Sequence, residues 1–217
     1  MNAFHYDSKI CVEAAGFSGG IWMFWNSLEL EIEVIGTNWQ FIHAMVRDES
    51  QQEWLLSAIY ASPEMGLRRE LWKYLKLVGS HINYPWLIIG DLNEIVEADE
   101  KKGGRVFRRV GENSLWDCIN SFELIDLGFN GPTLTWNNLR EGGARVRKRL
   151  DRALCNEEWR IQFPEAAVTH LAWAHSDHHP LLLEVAIRGK KPVGPKPFRF
   201  ELAWLTHLGF MDEIERC

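Results

Sequence analysis

The sequence has few cysteines, no long apolar run and no recognisable leader. Its four cysteines, Cys11, Cys118, Cys155 and Cys217, include no Cys-x-x-Cys pair. This argues against a disulfide framework or a zinc knuckle and is typical of a reducing compartment. No stretch has the apolar length of a membrane span, and no charged-then-apolar signal peptide opens the chain. We therefore expect a soluble intracellular protein, nuclear or cytoplasmic, that does not bind membranes.

Basic residues are in the minority, and the formal net charge is −6. Such a charge is unusual for a protein that binds DNA over a broad face. Positive charge is concentrated in segments 101–109 and 140–152, where Gly-Gly pairs predict mobile loops that could lie along a phosphate backbone. Charge alone fits two ordinary solvated loops equally well. The candidate nucleic-acid-binding residues are Arg105, Arg108, Arg109, Arg147, Lys148 and Arg149.

Composition and periodicity predict one domain with strands and two helices. The 217 residues are 46% hydrophobic, enough for a sizeable core. Segment 28–34 alternates apolar and acidic residues as a half-buried strand does, apolar residues at helical spacing predict a helix over 64–82, and Ser114 is a plausible cap for a second, short helix. Further strands are predicted at 39–46, 54–61, 86–89, 133–136, 149–155, 168–173 and 181–187. Strands in blocks with interposed helices predict an α/β (α+β) fold of two packed sheets flanked by helices.

The first candidate site follows a predicted buried strand. The apolar run 86–89 ends at Gly90, where a sharp turn is expected, and Asp91 and Asn93 begin a loop. Polar groups two residues apart in extended backbone point to the same side. For this pattern alone, a turn held by Asx hydrogen bonds is the simpler interpretation.

The second candidate site lies just before another predicted strand. Segment 174–180, Ala-His-Ser-Asp-His-His-Pro, supplies a carboxylate and titratable imidazoles at the strand entrance. Alone, it is more typical of a helix cap or a solvated loop. Together, the two motifs contain what metal-assisted attack of water on a phosphodiester needs: carboxylate oxygens for a magnesium-like ion, an amide for a phosphate oxygen and an imidazole.

A zinc site is a competing interpretation of the histidines. His170, His175, His178 and His179 are close in sequence, but their spacing fits no helical His-x-x-x-His pattern. Closely spaced ligands on one strand seldom converge tetrahedrally. The magnesium interpretation is therefore favoured.

Further motifs occur in the same order. They are Gly16 to Trp25 (GFSGGIWMFW), Ser57 to Pro63 (SAIYASP), Thr133 to Trp136 (TLTW) and Arg149 to Leu154 (RLDRAL). With Gly90-Asp91-Leu92-Asn93 and Ser176-Asp177-His178 in their places, the chain resembles the endonuclease/exonuclease/phosphatase superfamily. Within it, the chain looks most like the endonuclease domain of plant LINE-type (non-LTR) retrotransposons. The resemblance covers residues 16–187, and segment 197–204 resembles the connector that leads such endonucleases toward a reverse transcriptase.

The resemblance implies a role for each matched residue. Asp91 would transfer a proton at the attacking water or leaving oxygen, Asn93 and Tyr60 would contact the scissile phosphate, and His178 would stabilise its developing charge. Asp177 would belong to the metal and imidazole network, so that Asp177 and Asp91 are the candidate ligands of Mg²⁺, or of Mn²⁺ in its place. Residues that would support the site are Asp151, Thr135 and Ser176.

The chain also departs from the family. Members begin with a strand that ends in asparagine, followed by a helix and a second strand that ends in Gln-Glu, whose glutamate is the principal metal ligand. No such segments precede Gly16. We therefore expect a four-layer sandwich that lacks its first strands, formed by an N-terminally truncated domain over 1–188, with a linker and a partly ordered tail over 189–217. Mg²⁺ held by one or two carboxylates depends on each of them, so the loss predicts impaired activity.

Three functions remain open at this point. The first is a magnesium-dependent DNA endonuclease of retrotransposon type, expected to be a monomer and to derive from a fusion with a reverse transcriptase. The second is an inactive remnant that still binds nucleic acid. The third is a phosphatase of small phosphorylated substrates on the same fold. The arginine-rich segment before Asp151 and the connector-like segment 197–204 favour DNA as the partner.

Overall fold

The computed structural model describes residues 6–15, 18–49, 51–109, 111–173 and 176–185. The chain divides into two units, 1–185 and 186–217. The predicted linker and tail, 189–217, and His175 lie outside the described residues. No helix among the described residues is long and apolar enough to cross a membrane.

The described chain contains three α-helices, two short 3₁₀ helices (Ala98–Glu100 and Gly142–Ala144) and thirteen strands. The α-helices are α1 (Met65–Gly79), α2 (Leu115–Ser121) and α3 (Glu157–Gln162). The longer strands are β1 (Ser8–Ala15), β2 (Ser18–Trp25), β3 (Leu30–Asn38), β4 (Phe41–Asp48), β5 (Glu53–Tyr60) and β6 (Trp86–Asp91). Shorter strands follow: β7 (Lys101–Lys102), β8 (Ile125–Asp126), β9 (Trp136–Asn137), β10 (Arg147–Lys148), β11 (Asp151–Cys155), β12 (Ala167–His170) and β13 (Leu181–Glu184).

The largest sheet has six strands in the order β3-β4-β5-β6-β11-β8. It is mixed, because β5 and β6 are parallel while their neighbours pair antiparallel. Helix α1 connects β5 to β6, and a crossover of this kind is what a parallel pair requires. The carboxyl ends of β5 and β6 therefore meet at one edge of the sheet, where Tyr60 lies opposite Asp91.

The two faces of this sheet carry separate apolar clusters. On one face, α1 and α2 contribute Leu71, Trp72 and Leu115 to a core with strand residues such as Leu55 and Ile88. Trp159 and Phe163 from the region of α3 pack on the other face, together with Leu87, Ala153 and Val168. The mixed sheets with flanking helices confirm the predicted fold class.

The other described strands form three small sheets. Strands β1 and β2 form one pair and β12 and β13 another, and in the described residues these two pairs share no hydrogen-bonded ladder. A third small sheet has the order β7-β10-β9. A groove of about 410 Å³ lies beside the β12–β13 pair, lined by Ile89, Gly90, Asp151, His178 and Leu181.

Several predicted elements are shorter than expected, and the strands predicted at 149–155 and 168–173 are reduced to Asp151–Cys155 and Ala167–His170. The predicted helix 64–82 ends at Gly79, because the chain closes into a tight turn in which the Ile82 N–H donates to the Gly79 carbonyl (3.1 Å). The predicted strand 133–136 is reduced to Trp136–Asn137. The polar groups of Thr135 bond to other segments. Its carbonyl accepts from the His179 N–H, and its Oγ1 accepts from the N–H groups of Leu150 and Asp151, where β11 begins.

The imidazole of His43 is buried under α1. His43 is 6% exposed and stacks against Phe41, and its Nδ1 lies 2.8 Å from the Ser57 hydroxyl, which also accepts from Trp86 Nε1 (2.8 Å). His43 Nε2 is buried and has no hydrogen-bond partner among the described atoms. Burial lowers the pKa of His43 from 6.5 to about 4. The histidine is therefore neutral in the folded protein at neutral pH.

His43 should make stability depend on pH. Because its folded pKa lies below its ordinary value, the unfolded chain takes up a proton first, so its contribution is complete above pH 6.5 and is lost as the pH falls toward 4. We expect a loss of about 3 kcal/mol over this window from His43 alone. Urea unfolding of the wild type and of His43→Phe at several pH values measures it.

The phenylalanine variant should lose this part of the pH dependence. His81→Phe, at an exposed position just beyond α1, is the matched control and should retain it. Equal pH slopes for the wild type and His43→Phe would contradict the prediction.

Candidate active site

Gly90 sets the position of the first carboxylate. Its φ is +139°, and a Cβ atom at this position would clash with the Ile59 carbonyl oxygen of β5. Only glycine allows the parallel strands to approach this closely. The next residue, Asp91, ends β6 and lies opposite Tyr60 on β5 and Asp151 on β11. Two carboxylates therefore meet on adjacent strands at the edge of the sheet.

Asn93 holds Asp91 in place. Its backbone N–H donates to Asp91 Oδ1 (2.9 Å) and its amide Nδ2 donates to Asp91 Oδ2 (2.8 Å). The same Nδ2 also donates to the Ala61 carbonyl (2.9 Å), and Asn93 has a positive φ of 48°. Both amide hydrogens are thus directed at protein groups. In this arrangement Asn93 orients Asp91, and its contact with a phosphate stays a prediction.

Asp151 and His178 form a hydrogen-bonded pair. His178 Nδ1 lies 2.9 Å and 3.1 Å from the two carboxylate oxygens of Asp151. Thr135 Oγ1 accepts from the N–H groups of Leu150 and Asp151, and Ser176 Oγ accepts from the His178 N–H (3.1 Å). The imidazole is therefore held through Nδ1, which leaves Nε2 to face Asp91.

Asp91, Asp151 and His178 form a compact charged cluster. His178 Nε2 is 3.8 Å from Asp91 Oδ2, and one ligand atom from each residue lies within 4.8 Å of the others. This is the only such group of potential metal ligands among the residues that the structure describes. It contains Asp151 where the sequence interpretation had named Asp177.

The cluster shifts the pKa of two groups in the same direction. Burial, reinforced by the charge of Asp151, raises the pKa of Asp91 to about 7, although His178 and the Asn93 N–H oppose the shift. Burial lowers the pKa of His178, but the hydrogen bond and charge of Asp151, together with Asp91, outweigh burial, so the net pKa is raised. The site therefore holds an excess of buried negative charge next to an imidazole that readily takes a proton.

Asp177 and Tyr60 flank the cluster. Asp177 Oδ2 accepts from Trp136 Nε1 (3.0 Å), and the Asp177 carbonyl accepts from the Asn137 N–H (3.0 Å). Burial raises the pKa of Tyr60, and the charges of Asp91 and Asp177 add to the increase. Tyr60 therefore lies within electrostatic reach of both carboxylates. Trp136 was not a predicted site residue, because nothing in the sequence pairs its indole with Asp177.

The predicted nucleic-acid-binding residues separate into two groups. Arg105, Arg108, Arg147 and the partly exposed Lys148 lie on the surface, as does Arg109, which pairs with Glu97 (2.6 Å). Arg149 does not belong with them.

Arg149 is buried in an ion network. It pairs with Glu100 (3.2 Å) and Asp126 (2.7 Å), and Arg152, whose side chain is 1% exposed, pairs with the same two carboxylates. The Arg149 guanidinium also lies over the Phe129 ring (4.7 Å). This network holds the start of β11, so Arg149 supports the position of the neighbouring Asp151 and is not available to a ligand.

The other described histidines do not converge on a metal site. His170 is buried, its Nδ1 lies 2.6 Å from the Pro132 carbonyl, and its ring stacks on Phe129. His179 Nδ1 lies 2.8 Å from the Leu171 carbonyl. Neither joins the ligand group of His178 in the described part of the chain. Among the described histidines, the geometry gives no support to a zinc site.

Solved structures share this fold. No protein-family model and no curated protein sequence matches the chain. The endonuclease domain of TRAS1, a telomere-specific non-LTR retrotransposon, is similar with a TM-score of 0.58 at 18% identity, over 83% of this chain and 80% of that domain. Two further structures are less similar. TDP2 from C. elegans has a TM-score of 0.48 at 12% identity, over 80% of this chain and 56% of that chain. A β-hairpin deletion mutant of beta toxin from Staphylococcus aureus has a TM-score of 0.49 at 12% identity, over 89% of this chain and 77% of that chain. The chain therefore has a fold similar to that of the TRAS1 endonuclease domain, which confirms the resemblance at the level of the fold.

Replacing Gly90 should damage both fold and site. A Cβ atom would push β5 and β6 apart, so we expect Gly90→Ala to lower the free energy of unfolding by at least about 2 kcal/mol. Gly36→Ala in β3 is the matched control, because a Cβ there meets nothing within 4 Å, and it should change stability by less than about 1 kcal/mol. Denaturant unfolding of both variants measures the difference. Equal effects would show that the close approach at Gly90 is unimportant.

Proposed function

We propose that this protein is a metal-dependent phosphodiester hydrolase that acts on DNA as an endonuclease of retrotransposon type. The observation that carries the proposal is the cluster of Asp91, Asp151 and His178 at the sheet edge, with its ligand atoms within 4.8 Å. The cluster combines a hydrogen-bonded carboxylate–imidazole pair with a second carboxylate whose pKa is raised. Similarity to the TRAS1 endonuclease domain supports the reaction class only as a fold-level analogy.

His178 would stabilise negative charge on the phosphate. Its Nδ1 is held by Asp151, so Nε2 can direct a hydrogen toward a phosphate oxygen placed next to the cluster. The carboxylate of Asp151 favours the charged imidazolium and fixes its orientation. Preorganised donors of this kind contribute most when charge develops in the transition state.

Asp91 would take the proton of the attacking water or deliver it to the leaving oxygen. The two donor groups of Asn93 fix both carboxylate oxygens, so its geometry is set before substrate arrives. Tyr60, opposite Asp91 in the parallel register, would contact the same phosphate. These three residues all come from the carboxyl ends of β5 and β6 or the loop that follows.

The donor set fits a divalent cation. Three carboxylates, Asp91, Asp151 and Asp177, act on one imidazole. Burial, reinforced by the charges of Asp151 and Asp177, raises the pKa of Asp91, and a bound cation would favour its charged form. Asp91 would hold Mg²⁺ through oxygen, with Asp151 in the same ligand group and with Asp177 as the second ligand that the resemblance implies, and Mn²⁺ would be accepted in its place. A bound cation would polarise the phosphate and lower the pKa of its water.

We further propose that the activity of these 217 residues is impaired. Among the described residues no glutamate joins the ligand group, whereas the family resemblance implies a strand that ends in Gln-Glu and supplies the principal metal ligand.

We also propose that the protein is a monomer and shares its ancestry with a reverse transcriptase fusion. A remnant that only binds DNA, or a phosphatase of small phosphorylated substrates, are the alternatives that the experiment separates.

Nicking of supercoiled plasmid in Mg²⁺ or Mn²⁺ tests the function. We expect weak nicking by the 217-residue protein, and an increase of orders of magnitude when an N-terminal segment ending in Gln-Glu from a retrotransposon endonuclease is added. In the extended protein, Asp91→Ala and His178→Ala should each reduce the rate about 10²- to 10⁴-fold.

Matched controls separate the site from general damage. Asp99→Asn and His81→Ala replace exposed residues of the same types and should leave nicking unchanged. Nicking that survives Asp91→Ala would refute the proposed site. Fast metal-dependent nicking by the unextended chain would refute the impairment, and preferential hydrolysis of small phosphate esters would favour the phosphatase.

A further inference from the structure

Glu94 directly follows the Gly90-Asp91-Leu92-Asn93 motif and connects it to two helices. Its side chain is mostly buried, with 11% exposed. Oε2 accepts from Arg68 Nε and from Trp72 Nε1 of α1, both at 3.0 Å, and Oε1 accepts from the Leu115 N–H at the start of α2 (3.2 Å). The loop that begins with the candidate catalytic aspartate is therefore anchored outside the sheet.

Arg68 connects Glu94 to the loop that follows Tyr60. Its guanidinium is as deeply buried as the carboxylate, and Nη1 donates to the carbonyls of Ser62 (2.6 Å) and Pro63 (3.1 Å). One arginine thus holds the loop after β5 through Nη1 and the loop after β6 through Nε. We refer to this buried ion pair as the Arg68–Glu94 clasp.

Every backbone hydrogen-bonding group of residues 61–63 has a partner within the protein. The Ala61 N–H donates to the Asp91 carbonyl (2.8 Å), and the Ala61 carbonyl accepts from Asn93 Nδ2 (2.9 Å). The N–H of residue 62 donates to Oε1 of the buried Gln40 (2.7 Å), and the two remaining carbonyls accept from the clasp. Buried backbone groups are costly to leave unpaired. The loop therefore has one position in which all bonds form, and that position includes the bond to Asn93.

Asn93 depends on these neighbours for its conformation. Its φ of 48° lies in the left-handed region, which a residue other than glycine retains only where its surroundings hold it. Its side chain bonds to Asp91 and Ala61 on one side, and the next residue, Glu94, is fixed by the clasp on the other. The clasp therefore acts on the residue that orients the candidate catalytic carboxylate.

A buried ion pair is more than stability alone requires at this place. Two charges that leave water lose their hydration, and apolar side chains of similar volume often stabilise a fold equally well. Apolar contacts have little directionality, however, whereas the five hydrogen bonds of the clasp allow only a narrow range of positions for the two loops.

We propose that the Arg68–Glu94 clasp positions Asn93, and through it Asp91, for the reaction. The inference rests on the proposed function and adds two positioning residues to it. The clasp holds the loops after β5 and β6 against each other, so that the two donors of Asn93 fix both oxygens of Asp91 before substrate arrives.

Hydrogen exchange at Asn93 tests the clasp without catalysis. In the 217-residue protein its backbone N–H and side-chain amide should exchange slowly, because both donate within the protein. Glu94→Gln removes the charge at constant size, and Arg68→Lys keeps the charge but loses the planar fork. We expect NMR to show exchange at Asn93 accelerated about 10-fold or more in both variants.

Two controls separate local positioning from general stability. Lys76→Met removes the Lys76–Asp117 pair (2.9 Å), which joins α1 directly to α2, and should leave exchange at Asn93 unchanged. Exchange at Ile88, in the middle of β6, should change far less than at Asn93 in the clasp variants. Slow exchange at Asn93 in both clasp variants would overturn the proposal. Equal acceleration at Asn93 and Ile88 would also overturn it, because the clasp would then contribute to overall stability only.

Nicking kinetics of the extended protein test whether the clasp acts through Asn93. Glu94→Gln should lower kcat about 10-fold or more with KM within about twofold, because the clasp orients a catalytic group and does not bind substrate. In an Asn93→Ala background the same change should lower kcat by less than about twofold, because the group to be positioned is gone. The full loss repeated in that background would refute the route through Asn93.

Failure of the clasp and failure of the hydrolase give different results. Exchange at Asn93 that responds to the clasp variants, in an extended protein that does not nick, would support the clasp and refute the hydrolase. Nicking at the wild-type rate by folded Glu94→Gln and Arg68→Lys proteins would retain the hydrolase and overturn the clasp.

Discussion

The close approach of β5 and β6 at Gly90 is the constraint on which the site depends. The Ile59 carbonyl occupies the space where a side chain would lie, so the parallel register that places Tyr60 opposite Asp91 requires glycine. The antiparallel register with β11 then places Asp151 on the other side of Asp91. Two carboxylates become neighbours through backbone geometry, and their mutual repulsion is a consequence of the fold.

Ion pairs elsewhere hold this unfavourable arrangement in place. Arg149 and Arg152, on either side of Leu150 and Asp151, are fixed by Glu100 and Asp126 in a mostly buried network. Removing one partner of such a network leaves an uncompensated buried charge, which is far more costly than the loss of an exposed ion pair. The network therefore resists displacement of β11. It allows Asp151 to stay beside Asp91 although their charges repel.

Patterns within single elements could be predicted from the sequence, whereas relations between elements could not. The alternation of 28–34 and the apolar stripe of 64–82 report burial of one face, and β3 and α1 form there. The pair of strands β1 and β2 and the helix α3 were not predicted, although Asn156 caps α3 by accepting from the Trp159 N–H. Its six residues are too few for a helical period to be recognised.

The same distinction applies to the site. The Gly90-Asp91-Leu92-Asn93 and Ser176-Asp177-His178 motifs indicated which residues carry the chemistry, but not which carboxylate holds the imidazole. The sequence interpretation named Asp151 only as a supporting residue, because its hydrogen bond with His178 joins two residues that are 27 positions apart in the chain. Arg149 was taken for a surface cation because its partners, Glu100 and Asp126, lie in other parts of the sequence.

Opposite charges are kept apart at the candidate site. Burial and the charge of Asp151 raise the pKa of Asp91, whereas burial and the charges of Lys101 and Arg68 lower the pKa of Lys148. Asp177 lies at the boundary, and the bond from Trp136 ties it to the indole. Lys148 lies on β10 of the three-stranded sheet and Asp91 on β6 of the six-stranded sheet, where Asp91 faces His178. A phosphodiester bound together with a divalent cation would bring positive charge to Asp91 and negative charge to Lys148. The two opposite charges of the site would then be compensated by one ligand and its cation.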